Sequence, residues 1–201
     1  MSNLENYMKQ QAIFCEQNDS ISKNLYSEYG VKRGLRDEKG QGVLTGLTNI
    51  SDIKAFEYHD GVKSPCDGEL SYRGYNIKDL VTGSKGKRFV FEEGAYLLLF
   101  GELPTDTQLM EFQGRLSDCM ELPTNFTRDV IMKAPTSDIM GSMTRSILTL
   151  GSYDKEKESL EIPNVLRQSM QLIAVFPMLA VYAYHAYCHY EKNESMYIHR
   201  P

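Results

Sequence analysis

The most apolar segment of the chain lies near its carboxyl end, where residues 172–187 read LIAVFPMLAVYAYHAY. This segment is shorter than the roughly 20 apolar residues that a membrane-spanning helix needs, and it contains Pro177 and His185. A helix that is apolar on nearly all sides is typical of a protein core. We therefore expect a buried core helix rather than a membrane span. It should bend at Pro177, because proline lacks the backbone N–H and clashes with the preceding turn.

Two histidines in and next to this segment have the spacing of metal ligands. His185 and His189 are four residues apart and therefore share one face of a helix. A zinc site of the HExxH type needs a glutamate between the histidines and a third ligand, but the intervening residues here read AYC. We expect a structural role for both, and the same for His59 and His199, which are isolated in the sequence. The sequence thus predicts no metal-binding and no cofactor-binding residue.

The composition narrows the functional class and the compartment. A chain of 201 residues with 41% hydrophobic content can bury the core of one domain, or of two small ones at most. The formal net charge of -5 argues against a nucleic-acid binder, which is normally basic. The four cysteines form no CxxC pair, and the first twenty residues hold no apolar signal segment. We expect reduced thiols and a cytoplasmic protein.

The amino-terminal part of the chain predicts a helix followed by a linker. Residues 3–18 have the apolar spacing of an amphipathic helix, and the charged, glycine-rich residues 33–42 indicate a connecting loop. The candidate apolar positions of the helix are Leu4, Met8, Ile13 and Phe14. We therefore divide the chain into a helical lead and linker, residues 1–38, and a main unit, residues 39–201.

A β-hairpin is predicted at the start of the main unit, over about residues 43–77. Residues 43–58 and 69–77 have strand character, and the segment between them, HDGVKSPCDG, is rich in turn residues. We expect two strands joined by a long loop. A hairpin this small is not stable alone, so it must pack on helices.

The rest of the chain predicts helices, over about residues 76–190. Their expected ranges are 76–81, 91–104, 105–120, 122–135, 137–154 and a long helix from Pro163. In the 137–154 segment Ile139, Met143, Ile147 and Leu150 form one apolar stripe. Small side chains in the same segment permit close approach of another helix: Gly141, Ser142 and Ser146. The predicted fold class is mostly α, with one small β-hairpin.

Five sequence blocks stand out in order along the chain: GLTNISDI, GELSYRGYNIKDLV, FEEGAYLLLFGELPT, DIM…TRSILTLGSYD and LIAVFPMLAVYAY. Together they resemble the amino-terminal half of citrate synthase, most closely its bacterial, clostridial-type branch. Their order and spacing match the family over about residues 30–201, and YRGYNI followed by FEEGAYLLLFGELP is the specific pair. The resemblance implies the helices of the family's large domain, truncated about halfway through the family's length.

The resemblance also implies a reaction whose catalytic blocks this chain lacks. The family condenses acetyl-CoA with oxaloacetate, using an aspartate as general base and two histidines that polarise the carbonyl groups. It carries these residues in HGGAN-type and GHRVY-type stretches and a later aspartate block, none of which occurs here. His185, His189 and His199 match none of these stretches. We therefore predict no catalytic residue and an inactive 201-residue chain.

Two alternatives to a citrate synthase fragment stay open, together with an expected partner. One alternative is a fragment of 2-methylcitrate synthase, and the other is a non-catalytic helical dimerisation module. In the resembled family the helices at about 137–151 and 163–190 pair with their copies across a two-fold axis. We therefore expect a homodimer through these helices, with Gly141, Ser142 and Ser146 allowing the close contact, and neither nucleic acid nor a membrane as partner.

Overall fold

The structure is a computed structural model that describes residues 3–18, 21–32, 34–37, 39–83 and 89–200. The chain forms two compact units, Met1–Thr48 and Asn49–Pro201. The predicted division into a helical lead and linker, residues 1–38, and a main unit, residues 39–201, stays a prediction.

The described residues of the first unit form two helices, α1 (Asn3–Asn18) and α2 (Asn24–Glu28), followed by an isolated antiparallel bridge between Arg36 and Gly42. The predicted helix at residues 3–18 is confirmed. Its four candidate apolar side chains are all more than half exposed, so they contribute no buried core to this unit.

The second unit opens with a three-stranded antiparallel sheet in the order β1-β2-β3: β1 (Ser51–His59), β2 (Val62–Tyr72) and β3 (Tyr75–Asn76). The expectation of a long loop between the first two strands is wrong, because His59 pairs directly with Val62. Asp60 and Gly61 make the turn with φ of 49° and 79°. Asp-Gly is a favoured sequence for such two-residue turns, whose twist matches that of the strands.

The strand boundaries also differ from those predicted. Residues 43–50 lie outside the strands, and β2 runs through Pro65. Pro65 pairs with Phe56, next to an irregularity of the register between Lys54 and Phe56. A proline has no N–H to give to a ladder and is tolerated at such bulges. The turn-rich composition of this segment therefore concealed a strand.

A second tight turn joins β2 to β3 and fastens the sheet to the helices. Its central residues, Arg73 and Gly74, have φ of 49° and 87°. The Arg73 Nη2 donates a hydrogen bond to the Leu98 carbonyl at 2.8 Å. Asn76 then caps the next helix, since its Oδ1 accepts from the Lys78 N–H at 2.9 Å.

After the sheet, the described residues form five α-helices: α3 (Ile77–Gly83), α4 (Val90–Phe100), α5 (Asp106–Asp118), α6 (Ile139–Gly151) and α7 (Ile162–Lys192). Gly101 ends α4 in the left-handed conformation. Thr105 and Gln108 form a reciprocal capping box at the start of α5. In the predicted 122–135 helix only Thr127–Ile131 is helical, as a single π-helical turn.

Helix α7 is the centre of the core. One side of it packs in a cluster whose buried members are Phe126, Ile131, Val175, Met178, Leu179, Tyr182 and Ala183. The predicted stripe of α6 packs against this cluster. A second cluster joins Ala174 of α7 to Phe112 and Leu116 of α5. The predicted fold class is confirmed: the chain is mostly helical with a small antiparallel sheet.

By length and hydropathy α7 qualifies as a possible membrane span, alone among the helices that the structure describes. The same helix supplies residues to both buried clusters, which is the packing of a core helix. It continues through Pro177 as one helix.

Candidate functional site

The histidines of α7 do not act as a pair. His185 Nε2 lies 3.0 Å from Nε2 of His199, whereas His189 Nδ1 lies 2.7 Å from the carbonyl oxygen of Glu194. His199, although isolated in the sequence, is thus a spatial neighbour of His185. His59, on the exposed end of β1, lies 3.1 Å from the carboxylate of its neighbour Glu57.

The residues after α7, 194–200, form a return segment that runs back along the helix. Asn193 ends α7 in the left-handed conformation with φ of 56°, and the Glu194 N–H bonds the Cys188 carbonyl at 3.2 Å. Further along, the hydroxyl of buried Tyr182 donates to the His199 carbonyl. An asparagine that stops a helix was the signal in the sequence for this reversal.

Within the part of the chain that the structure describes, no group of three or more histidine, cysteine or acidic residues is placed to hold a metal ion. The four cysteines are free thiols, of which Cys188 is buried. The Tyr184 hydroxyl is hydrogen-bonded to Cys188, and this bond raises the pKa of Tyr184. None of these groups has the nucleophile-and-base arrangement of a covalent catalyst.

The small residues of α6 are buried or make their contacts within one chain. Ser142 and Ser146 are only 4% and 3% exposed in the single chain. A β-carbon at Gly141 would lie 2.3 Å from Oδ2 of Asp138, whose carboxylate caps α6 by accepting from the Gly141 N–H at 2.9 Å. The expectation that Ser142 and Ser146 line a contact with a second copy is therefore wrong, because both side chains are already covered within one chain.

The outer side of α6 presents large apolar side chains to solvent. Met140 is 80% and Leu148 is 73% exposed. Beside them lies an open groove of about 550 Å³ lined by Gly141, Thr144, Arg145, Leu148, Thr149 and Ser152. Arg145 is held in place by hydrogen bonds from its Nη2 to the carbonyls of Lys133 and Ala134. We call this surface, residues 140, 144, 145 and 148, the outer α6 face.

A polar network fixes the connection from α6 to α7. Arg167 Nη2 contacts both Asp154 carboxylate oxygens at 2.9 Å, and Gln168 Nε2 donates to Oδ2 at 3.0 Å. These hydrogen bonds, from Gln168 first and then Arg167, lower the pKa of Asp154. Buried Asn164 donates to the carbonyls of Glu156 and Ser159, both at 2.9 Å. The network sets the path of the chain between the two helices.

Solved structures of citrate synthases share this fold. The citrate synthase of Thermoplasma acidophilum, solved in a ternary complex with carboxymethyl coenzyme A and oxaloacetate, superimposes with a TM-score of 0.62 at 19% identity, over 79% of this chain and 37% of that one. The enzyme of Pyrobaculum aerophilum gives 0.58 at 26% identity, over 76% and 38%.

Sequence comparison extends this likeness from fold to family. The family model described as "Citrate synthase, C-terminal domain" matches residues 35–200, so the chain belongs to the citrate synthase family. Citrate synthase of Saccharolobus solfataricus is 30% identical over 77% of this chain, and 2-methylcitrate synthase of Shewanella oneidensis is 34% identical over 57%. The chain spans 35% and 28% of those two proteins, about a third of their length.

Proposed function

We propose that the chain is the amino-terminal part of the large domain of a cytoplasmic citrate synthase, an acyltransferase that condenses acetyl-CoA with oxaloacetate to citrate and CoA. The observation that carries the proposal is the family match over residues 35–200, together with the shared fold of solved citrate synthases. In this role the 201 residues supply core helices and a subunit contact, while the reacting groups lie in other parts of the family's sequence.

The 201-residue chain alone should be inactive. The general base and the two carbonyl-polarising histidines cooperate in one step, and loss of such a unit removes nearly all catalysis. His185 and His199 contact each other, and His189 contacts the backbone carbonyl of Glu194. In these contacts no histidine is paired with a carboxylate that could act as the general base.

The test is release of CoA thiol from acetyl-CoA and oxaloacetate by the purified chain, prepared from a host strain that lacks its own citrate synthase. We expect the rate of a heat-inactivated control. Turnover above that control would show that the chain carries a complete catalytic set.

A second candidate, a fragment of 2-methylcitrate synthase, is supported by the Shewanella oneidensis relative at 34% identity. Sequencing the gene beyond the codon for Pro201 distinguishes a fragment of either enzyme from a non-catalytic dimerisation module. An open frame encoding an HGGAN-like block favours the enzymes. Comparison of acetyl-CoA with propionyl-CoA as substrate of that longer product then separates the two activities.

The proposed partner is a second copy of the chain, bound through the outer α6 face and the exposed side of α7. Met140 and Leu148 are largely exposed on α6, and Phe176 of α7 is 41% exposed. Apolar side chains of this size are typical of the centre of a homodimer contact. Around a two-fold axis, each such residue contributes to the contact twice.

A further inference from the structure

The His185–His199 pair brings two imidazoles together from separate parts of the chain. His185 is half-buried near the end of α7, and its ring contacts those of Tyr184 and Tyr197 at centroid distances of 5.7 Å and 5.8 Å. The return segment carries His199, and its backbone is held by the hydroxyl of buried Tyr182. Both rings are thus positioned by contacts other than their contact with each other.

The two Nε2 atoms face each other at 3.0 Å. In a hydrogen bond between two imidazoles one nitrogen donates and the other accepts, and the facing atoms are also the usual metal-binding atoms of histidine. With metal–nitrogen bonds of about 2.0–2.1 Å, nitrogens 3.0 Å apart subtend roughly 90° at a shared ion. That is the angle between adjacent ligands in square-planar and octahedral complexes, which Cu²⁺ and Ni²⁺ adopt with nitrogen ligands.

We propose that His185 and His199 chelate one Cu²⁺ or Ni²⁺ ion through their Nε2 atoms, with water completing the coordination shell. Binding replaces the hydrogen bond between the rings: the ring that donates through Nε2 changes tautomer, its proton passing through water to its own Nδ1, so that both rings are neutral with the proton on Nδ1 and each Nε2 lone pair binds the ion. Since no third histidine, cysteine or acidic residue joins the pair among the described residues, the ion is exchangeable. It fastens the return segment to α7.

The competing arrangement is the helical pair His185 and His189, which share one face of α7. In the structure the His189 ring is turned to the Glu194 carbonyl, with Nδ1 at 2.7 Å from that oxygen. The proposal therefore assigns the second ligand to the return segment rather than to the helix. Variants at positions 189 and 199 distinguish the two arrangements.

The experiment is calorimetric titration of the tag-free chain with NiCl₂. We expect one ion per chain, a loss of affinity of at least tenfold in His185→Asn and in His199→Asn, and a change below twofold in His189→Asn. Wild-type affinity in His199→Asn would overturn the proposal. So would loss of binding in His189→Asn, which would place the ion on the helical pair, or absence of binding at millimolar Ni²⁺.

A second measurement separates ion binding from an effect of the substitutions on folding. Because the ion links residue 199 to α7, Ni²⁺ should slow amide hydrogen exchange in residues 194–200 of the wild type. His199→Asn, which should keep the circular dichroism spectrum of the wild type, should show no such slowing. Equal slowing in both proteins would contradict the proposed site.

Discussion

Two backbone positions show how single residues set the local path of this chain. Gly141 leaves room for the Asp138 carboxylate that caps α6, since a β-carbon there would lie 2.3 Å from Oδ2. Gly74 has φ of 87° and no atom near its missing β-carbon, so its constraint is conformational rather than steric contact with a neighbour. Substitution of Gly141 should therefore act by displacing the Asp138 cap, whereas substitution of Gly74 should act by straining the backbone.

Replacement of Gly74 by valine should destabilise the fold by about 1–3 kcal/mol, the scale for a strained backbone conformation. A β-branched side chain is unfavourable at positive φ, and the neighbouring Arg73, at φ of 49°, already occupies the same region. The measurement is the free energy of unfolding in urea.

Two further variants serve as controls for this prediction. Gly74→Asn should recover part of the loss, because asparagine tolerates the left-handed region. Gly68 lies in β2 and has no positive φ, so Gly68→Val should reduce the free energy of unfolding by less than Gly74→Val does. Equal stability of Gly74→Val and the wild type would mean that the turn relaxes to another conformation.

At the scale of elements, the α6–α7 connection makes the stability of the fold depend on pH. The lowered pKa of Asp154 means that its ionised form is stabilised in the folded state by Gln168 and Arg167. The sign follows from linkage: this stabilisation is present above the ordinary aspartate pKa of about 3.9 and is lost as the pH falls through the lower folded-state value.

Asp154→Asn should therefore lower the melting temperature at pH 7 and flatten its decline as the pH falls from about 5 to 3. Asp118→Asn is the matched control, since that exposed carboxylate makes a single long contact of 3.9 Å with Arg115. Thermal melts of the three proteins across this pH range are the measurement. If the melting temperature of Asp154→Asn declined with falling pH as much as that of the wild type, Asp154 would not be a source of the acid sensitivity.

The elements that were predicted well are those with a strong local signal. Helices α4 to α7 follow from apolar spacing and from cap residues such as Gly101 and Thr105. The hairpin was misjudged because Asp60 and Gly61 are a complete turn by themselves, while the turn-rich segment that follows them pairs as a strand, with Pro65 beside a bulge. Pairing across strands depends on register, and composition carries little information about register.

At the scale of the whole molecule, side-chain direction was the part that the sequence could not supply. Ser142 and Ser146 have the size for a helix–helix contact, but only the structure shows that both are buried within one chain. The His185–His199 contact likewise joins positions whose proximity depends on the reversal at Asn193. Family membership, in contrast, followed from the order of short blocks and needed no three-dimensional information.

The proposed dimer should be sensitive to a charge placed on the outer α6 face. Leu148→Glu places a charge on the outer α6 face at a residue that is 73% exposed in one chain, so it should weaken association by at least about tenfold while leaving the fold intact. Met110→Glu, at a residue of α5 that is 66% exposed, is the control and should associate as the wild type does. Light scattering coupled to size exclusion measures both.

A monodisperse wild-type monomer of 23.0 kDa at micromolar concentration would contradict the dimer. Gly141→Leu is unsuitable for this test, because its side chain would displace the Asp138 cap and destabilise α6 itself.

The order of contacts along the chain has a consequence for how the second unit forms. Most contacting elements are neighbours in sequence, as in β1 with β2, α4 with α5 and α6 with α7, so each pair closes only a short loop and loses little chain entropy before its contacts form. The pairings of α5 and of the Thr127–Ile131 turn with α7 span much longer stretches, through Phe112 and Leu116 against Ala174 and through Phe126 and Ile131 against residues 175–183. Loop-closure entropy thus makes these contacts of α7 the costliest ones to nucleate, and they complete the core only after the local pairs have shortened the distance between their two halves.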